Sequence, residues 1–343
     1  MKTITVYYSD DFKKHDPAPY NHPENPNRLV LALNNIQHLK NIHIVEPPIG
    51  DTKIYLNVHS DAYYNMIIER ILNSDSVVWI DPDTYVSPGT MKALQRLAGA
   101  VESSLDMLHD GKGPILILGR PPGHHAGYSG TGLGAPTLGF CIFNTSALLA
   151  ILLHRLGKTL VFDFDAHHGN GTQDILWEKD ILHIDIHQDA STIYPGTGRP
   201  RDIGGRPGTK ININIPPRAG DDLLEHAISI IDQMIAGYEP EYIVVSAGFD
   251  GYINDNQFVS LRYSEYTFYI LGKTLSKYSD RIIIVLEGGY GLGLSNGLQW
   301  YLLGLQGYPQ GPQPVTSSDS STWNRYKTQL EELKELIGFN QAP

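Results

Sequence analysis

A lone cysteine, Cys141, in 343 residues leaves no partner for an internal disulfide, so nothing in the chain calls for an oxidising compartment. Its setting, Gly-Phe-Cys-Ile-Phe, reads as packing rather than as a reactive thiol. Charge is scarce too. Asp, Glu, Lys and Arg make up 18% of the chain, and the formal net charge of -11 argues against a sequence-independent grip on nucleic acid, which needs clustered Lys and Arg against phosphates. That balance favours a cationic substrate or partner. No apolar run approaches the ~18 residues of a spanning helix. The first eight residues alternate like a strand and lack the apolar core and cleavage site of a signal peptide. The expectation is a cytoplasmic protein with no membrane span and no direct contact with nucleic acid.

What the chain does have is short β-branched runs, at 4–8, 42–45, 115–118, 160–164, 181–186, 211–215, 242–245 and 282–286. Several are unbroken apolar runs, as expected of strands buried on both faces of a parallel sheet. Helical patterns lie between many of them, at 91–109, 145–156, 221–236 and 264–277, with Asp221 and Ser264 as N-caps of the last two. The alternation predicts a doubly wound α/β sheet. Residues 1–306 are read as one catalytic domain, and 307–321, rich in Gly, Pro, Gln and Ser, as linker-like. The remainder, 322–343, is read as a closing helix docked through Leu330, Leu333, Leu336 and Ile337.

Ligands of open α/β sheets bind at the carboxyl ends of the strands, so the residues just after each run are read together. Run 115–118 is followed by Gly-Arg-Pro-Pro-Gly and then His124 and His125; run 160–164 by Asp165, His167, His168 and Asn170. Ser-Ala-Gly-Phe and Asp250 follow 242–245, and Glu-Gly-Gly and Tyr290 follow 282–286. In an extended strand Asp163, Asp165 and His167 share one face. Asp165, His167 and Asp250 are hard or borderline ligands that leave a fourth position open, the layout of a catalytic zinc site. Such a metal would bring a bound water to a pKa of roughly 7 and polarise a carbonyl beside it. Tyr290, raised on two glycines, can donate to the charge developing on that carbonyl. The pair His124 and His125 suits carrying a proton from water to a departing amine, with Asp163 and Asn170 behind to hold the rings in one tautomer.

Three other features compete for attention. Asp185-x-His187 repeats the ligand spacing but lacks the following Gly-Asn-Gly turn. The segment 130–134, Gly-Thr-Gly-Leu-Gly, imitates a dinucleotide fingerprint without the strand and helix around it, and reads as a flexible rim loop. Asp81 and Asp83 either orient a cationic or peptide substrate at the rim or cap the next helix.

The ordered motifs Arg-Pro-Pro-Gly-His-His, Gly-Phe-Cys-Ile-Phe-Asn, Asp-Phe-Asp-Ala-His-His-Gly-Asn-Gly-Thr-Gln, Tyr-Pro-Gly-Thr-Gly, Ser-Ala-Gly-Phe-Asp and Leu-Glu-Gly-Gly-Tyr resemble the signatures of the histone deacetylase superfamily, which includes the acetylpolyamine amidohydrolases. The likeness runs from about Asn21 to Gly291. It implies an arginase-like α/β fold with an eight-stranded parallel sheet and zinc-dependent removal of acyl groups from amines. Carried over residue by residue, it makes Asp165, His167 and Asp250 the metal ligands and Tyr290 the carbonyl-polarising tyrosine. His125 becomes the general base and acid, and His124, backed by Asp163, its electrostatic partner. Phe140 and Tyr194 match the aromatic walls of an acyl-lysine channel, the Gly139 carbonyl an acceptor for the substrate amide, and Arg28 an arginine lining an internal cavity.

The chain departs from the family pattern at three positions. Asn170 stands where some members carry aspartate, which would make His125 less basic. Tyr194 stands where phenylalanine is common and adds a hydroxyl to an apolar slot. Asp185 replaces the serine usual at a monovalent-cation site, so potassium or sodium there, a basic partner or a proton must offset its charge. The resemblance implies Zn2+ as cofactor, with Fe2+ as an alternative, and an acylated lysine in a protein or peptide as substrate ahead of an acetylated polyamine, because the long insertion of polyamine specialists is missing between Ser60 and Gly89. A dinuclear manganese ureohydrolase and a non-catalytic acyl-lysine binding protein are the minor readings.

Overall fold

The computed structural model describes residues 1–206, 209–253, 255 and 258–339, so the last four residues of the expected closing segment lie outside the described residues. All eight expected strands form and lie in one sheet: β1 (Ile4–Tyr7), β2 (Ile42–Val45), β3 (Ile115–Ile117), β4 (Thr159–Asp163), β5 (Leu182–Gln188), β6 (Lys210–Ile215), β7 (Tyr242–Ala247) and β8 (Ile282–Leu286). Every pairing is parallel, in the spatial order β6-β5-β4-β7-β8-β3-β1-β2. β3, β4 and β8 are buried along their whole length, which is why they read as unbroken apolar runs. β2, at the edge, is the exception: Ile44 and Val45 are exposed.

Nine α-helices among the described residues flank the sheet: α1 (Asn27–Ile36), α2 (Asp61–Leu72), α3 (Thr90–His109), α4 (Thr145–His154), α5 (Asn170–Leu176), α6 (Asp221–Tyr238), α7 (Glu265–Leu275), α8 (Leu298–Leu305) and α9 (Ser320–Ile337). Ser264 caps α7 as expected, accepting from the Tyr266 amide at 3.2 Å. Asp221 does not cap α6; Gly220 holds that position. The Asp221 carboxylate turns inward instead and accepts from Ser264 N and Oγ, Thr267 Oγ1, Val315 N and Thr316 N at 2.8 to 3.1 Å. A buried carboxylate needs donors around it, and this one finds them on α7 and on the segment read as linker-like, which is thereby pinned to the body. Helix α9 docks through Tyr326, Leu330 and Leu333, all buried; Leu336, expected in the same stripe, is exposed. The spacing of 326, 330 and 333 keeps those three on one helical face.

The sheet order decides where the site must be. The four strands whose carboxyl ends carry the candidate residues, β4, β7, β8 and β3, are consecutive neighbours at the centre of the sheet. Register brings Asp163 opposite Ser246, and Ala247 opposite Leu286. The residues that follow are therefore delivered to a single edge.

Candidate functional site

At that edge Asp165, His167 and Asp250 each offer one ligand atom, and the three atoms lie within 4.8 Å of one another. His167 Nδ1 is 2.8 Å from Asp250 Oδ2 and 3.1 Å from Asp165 Oδ1. Backbone amides fix the carboxylates. Gly288 N donates to Asp165 Oδ2 at 2.7 Å, His167 N to Asp165 Oδ1 at 2.9 Å, and Ala166 N to Asp250 Oδ1 at 3.0 Å. A side chain at Gly288 would put a Cβ 2.5 Å from Asp165 Oδ2 and 2.8 Å from Asp250 Oδ2, so only glycine lets β8 end this close to the carboxylates.

The approach of Asp250 Oδ2 to the imidazole lacks the alignment of a hydrogen bond, and this buried oxygen has no donor among the described residues. Burial disfavours charge on His167, yet the carboxylates of Asp250 and Asp165 outweigh it and hold the ring up at about 10. Two buried carboxylates and one imidazole nitrogen converging on one point, one oxygen without a donor, form a donor set that fits a divalent metal.

The histidine pair stands beside it. His124 Nδ1 donates to Asp163 Oδ2 at 3.0 Å, and the other oxygen of Asp163 accepts from Asp165 N at 3.0 Å. Burial opposes charge on His124, but the carboxylates of Asp163, Asp165 and Glu287 hold its pKa well above the usual value. His125 is pushed the other way, well below the usual value, by burial and then by its neighbours His124 and His167. Its Nδ1 lies 2.6 Å from Asn170 Oδ1, while Asn170 Nδ2 donates to Gly132 O at 2.8 Å. Because the Asn170 amide must spend its N–H on Gly132, it presents oxygen to His125. The proton therefore sits on Nδ1 and the Nε2 lone pair is free. Gly132 belongs to the segment expected to be a flexible rim loop. It is in fact a short ribbon, Gly130–Thr131 paired with Ala126–Gly127, running into a 3-10 turn with Gly132 buried.

Above these groups opens a cavity of about 560 Å3, lined among others by Asp83, His125, Gly139, Phe140, His167, Tyr194 and Tyr290. Tyr194 meets His125 edge-on at 5.0 Å and Phe140 meets Tyr290 edge-on at 5.6 Å. The Tyr194 hydroxyl, expected in the apolar slot, is tied away to the Thr137 carbonyl at 2.8 Å. Gly139 has φ +52°, and a Cβ there would lie 2.6 Å from the His125 ring and 2.8 Å from the Tyr194 hydroxyl, so the wall closes around a residue without a side chain. Burial pushes the Tyr290 phenol well above its usual pKa, with Arg28 opposing, so it remains a donor.

The two rim aspartates separate. Asp81 is occupied within its own turn and the neighbouring loop, accepting from the amides of Asp83, Thr84 and Leu138 at 2.7 to 3.0 Å. It caps the turn before Tyr85, not the next helix, whose N-cap is Gly89. Asp83 reaches the cavity wall while accepting from Thr84 Oγ1 and Thr137 Oγ1. Asp185 is fully buried. Its oxygens accept from His187 Nδ1 at 2.6 Å and Gly169 N at 2.8 Å, and Asp163, His183 and Asp185 form a second group of potential ligands. His187 also contacts the Gly198 carbonyl at 2.9 Å, so both of its nitrogens are engaged.

Arg28 is buried under the tyrosine loop. It donates to the carbonyls of Gly289 and Glu287 and to Glu24 Oε1, and Glu24 in turn receives both Arg120 Nε and Nη2. Glu24, Arg120 and Glu287 were not among the expected site residues. Glu287 accepts from Gly123 N at 2.8 Å, His124 N at 3.1 Å and Ser146 Oγ at 3.2 Å, coupling the end of β8 to the histidine loop. Its place as the first polar residue after an apolar strand was the available signal. Asp255 was missed as well; it accepts from the amides of Tyr290, Gly291 and Gly293 at 2.7 to 3.0 Å. No local pattern marks it.

Comparison with known proteins adds an independent line. The family described as histone deacetylase domain matches residues 22–303. An uncharacterized protein of Methanocaldococcus jannaschii is 36% identical over 343 residues, covering 97% of this chain and 96% of its own. A probable deacetylase of Methanothermobacter thermautotrophicus is 32% identical over 322 residues, covering 90% and 93%. Among solved structures, the HD domain of HDA15 superposes with a TM-score of 0.84 at 23% identity, covering 98% of this chain and 97% of that one, which supports the fold. The chain belongs to the histone deacetylase family, a family of amide-cleaving hydrolases.

Proposed function

We propose that the protein is a zinc-dependent deacylase that cleaves N-acyl amines, acyl-lysine in proteins or peptides foremost. The observation that carries this reading is the convergence of Asp165, His167 and Asp250 at the floor of a cavity whose walls also present His125 and Tyr290. Zinc held by these three residues would supply an acidified water and a polarised acyl carbonyl.

The chain's own residues do the rest. His125, neutral and held by Asn170 with Nε2 open, takes the proton of the attacking water and later returns it to the leaving amine. His124, kept cationic among carboxylates, stabilises negative charge next to it and keeps His125 from becoming more basic. Tyr290 donates its hydroxyl to the carbonyl oxygen as charge builds there. Phe140 and Tyr194 flank an unbranched aliphatic stem, and the Gly139 carbonyl accepts from the substrate amide.

Asp83 is the one carboxylate on the cavity wall outside the metal cluster among the described residues. A polyamine carries further ammonium groups that call for more than one rim acid, which favours acyl-lysine. The deciding experiment is turnover by metal-reconstituted protein on a panel of acyl-lysine peptides and acetylated polyamines. Release of free lysine side chains with kcat/KM at least about tenfold above any polyamine supports the reading. Preference for polyamines would reassign the substrate, and no turnover of either would overturn the activity.

A further inference from the structure

The loop after β5 supplies Thr192, Ile193 and Tyr194 to the cavity wall, and it is folded around one acid, Asp189. Asp189 N donates to Ile215 O at 2.8 Å, and its own carbonyl accepts from Thr192 N at 2.8 Å and Thr192 Oγ1 at 2.7 Å. One carboxylate oxygen accepts from Ser191 N at 2.9 Å and Ser191 Oγ at 2.7 Å. The other accepts from Arg325 Nε at 2.8 Å and Gln329 Nε2 at 2.6 Å, with Arg325 Nη2 in ion-pair contact at 2.6 Å. Arg325 Nη2 also donates to Ser191 Oγ at 2.9 Å. The carboxylate is 3% exposed.

Arg325 and Gln329 lie one turn apart on α9, beside the apolar seam of Tyr326, Leu330 and Leu333 that docks the helix. Packing alone needs only the seam. The two polar side chains leave it to reach a loop whose far end is the channel wall. Helix α9 starts beyond residue 303, where the match to the family ends.

We infer that Arg325 and Gln329 are positioning residues for the substrate channel, acting through Asp189 to hold Ile193 and Tyr194 in place. The guanidinium of Arg325 donates from Nε to the Asp189 carboxylate and from Nη2 to Ser191 Oγ, which fixes direction as well as charge. Without it Asp189 is a buried anion that has lost its counter-charge, and the turn 189–192 opens. Tyr194 then loses the backing that sets it edge-on to His125 and against Gly139. Substrate binding weakens, while the groups that perform the chemistry keep their own supports.

This rests on the deacylase reading, so the test has one arm that needs no activity. Amide hydrogen exchange is measured on the metal-loaded full chain for the parent, Arg325→Ala, Gln329→Ala, Arg325→Lys and the seam control Leu333→Ala. Exchange at residues 191–194 should rise about tenfold or more in Arg325→Ala, less in Gln329→Ala, and return most of the way in Arg325→Lys, above any change in the control at matched global stability. In the kinetic arm, KM for an acetyl-lysine peptide should rise about fivefold or more in Arg325→Ala with kcat within about twofold of the parent. Exchange at 191–194 that follows the control would overturn the inference, as would a loss confined to kcat. Should Arg325→Ala fail to fold, Gln329→Ala and Arg325→Lys decide by the same readouts. A parent that turns over no acyl amine would sink the deacylase reading and leave the exchange arm to judge the clamp.

Discussion

The guanidinium carbon of Arg28 lies 4.6 Å from the centre of the Tyr290 ring, while its Nε donates 2.7 Å to the carbonyl of Gly289. One cation thus packs on the phenol and grips the backbone that carries it. Cation and ring attract, and Glu24, itself held by Arg120, neutralises the charge from below. The result is a tyrosine fixed from beneath with its hydroxyl end in the cavity.

Tyr290→Phe should therefore leave the fold and substrate binding intact and remove one donor from the transition state. The expected outcome is a kcat lower by a factor of about 100 or more with little change in KM. Activity within about threefold of the parent would show that the hydroxyl is not an oxyanion donor.

Metal dependence tests the floor of the site. Asp250→Ala removes the carboxylate oxygen that lacks a hydrogen-bond donor, so it should abolish both metal retention, read by elemental analysis, and turnover. Dialysis of the parent against chelator should abolish turnover reversibly, with zinc restoring it. A fully metallated, active Asp250→Ala variant would remove Asp250 from the ligand set.

The channel walls make a separate prediction. Phe140 meets Tyr290 and His22 edge-on and borders the cavity, so Phe140→Ala should widen the slot and lower discrimination between acetyl and longer acyl groups by about 1 kcal/mol or more. Tyr194→Phe removes only a hydroxyl tied to Thr137 and should shift that preference less. Unchanged selectivity in both variants would place the channel elsewhere.

Much of this was readable from the chain because strands buried on both faces betray themselves as apolar runs, and the residues that break those runs are the ones the sheet edge exposes. That logic placed Asp165, Asp250 and Tyr290 at one sheet edge without knowing the strand order. It could not find Asp189 joined to Arg325, more than a hundred residues away, since nothing local distinguishes either. It misjudged Asp221, whose N-cap composition is real but whose carboxylate is drawn to a tertiary set of donors. For Asp81 the rim and a turn were both open readings, and its carboxylate is taken up by the turn and by the Leu138 amide. Polar residues that serve partners distant in sequence are where local reading fails.

Acid stability should carry the signature of a buried neutral histidine, His59. His59 Nδ1 lies 2.8 Å from the Gly127 carbonyl and its Nε2 accepts from Asn144 N at 2.9 Å, a pair only the neutral ring can satisfy. Burial lowers its pKa to about 4, against about 6.5 in the unfolded chain. Between those values the unfolded state binds the additional proton, so stability is present above about pH 6.5 and is lost as pH falls toward 4, by about 3 kcal/mol from this residue. His59→Gln keeps a donor and an acceptor without the titration. Urea unfolding from pH 7 to 4 should show a slope smaller by about one proton in the variant, and equal slopes would show that His59 charges freely in the fold.

Asp185 is where charge alone makes the sharpest demand. The Asp185 carboxylate lies opposite Asp163 in register, and burial in such company needs a counter-charge or a proton. The sequence left three ways to meet that need, a monovalent cation, a basic neighbour or a protonated acid. The observed donors favour the second: His187 Nδ1 at 2.6 Å on one oxygen and Gly169 N at 2.8 Å on the other. Against burial, His187 and then His168 and His183 hold the Asp185 carboxyl below its usual range. The parent should then show a melting temperature independent of added potassium. Asp185→Ser withdraws the carboxylate, strands a buried donor on His187 and leaves a hydroxyl in its place. A loss of about 1 to 3 kcal/mol is expected, partly recovered by potassium, which the serine oxygen can help to hold. A potassium-dependent parent would establish the cation instead. Parallel titrations of parent and variant, both flat, would remove the cation from this site and leave the basic partner or a protonated acid.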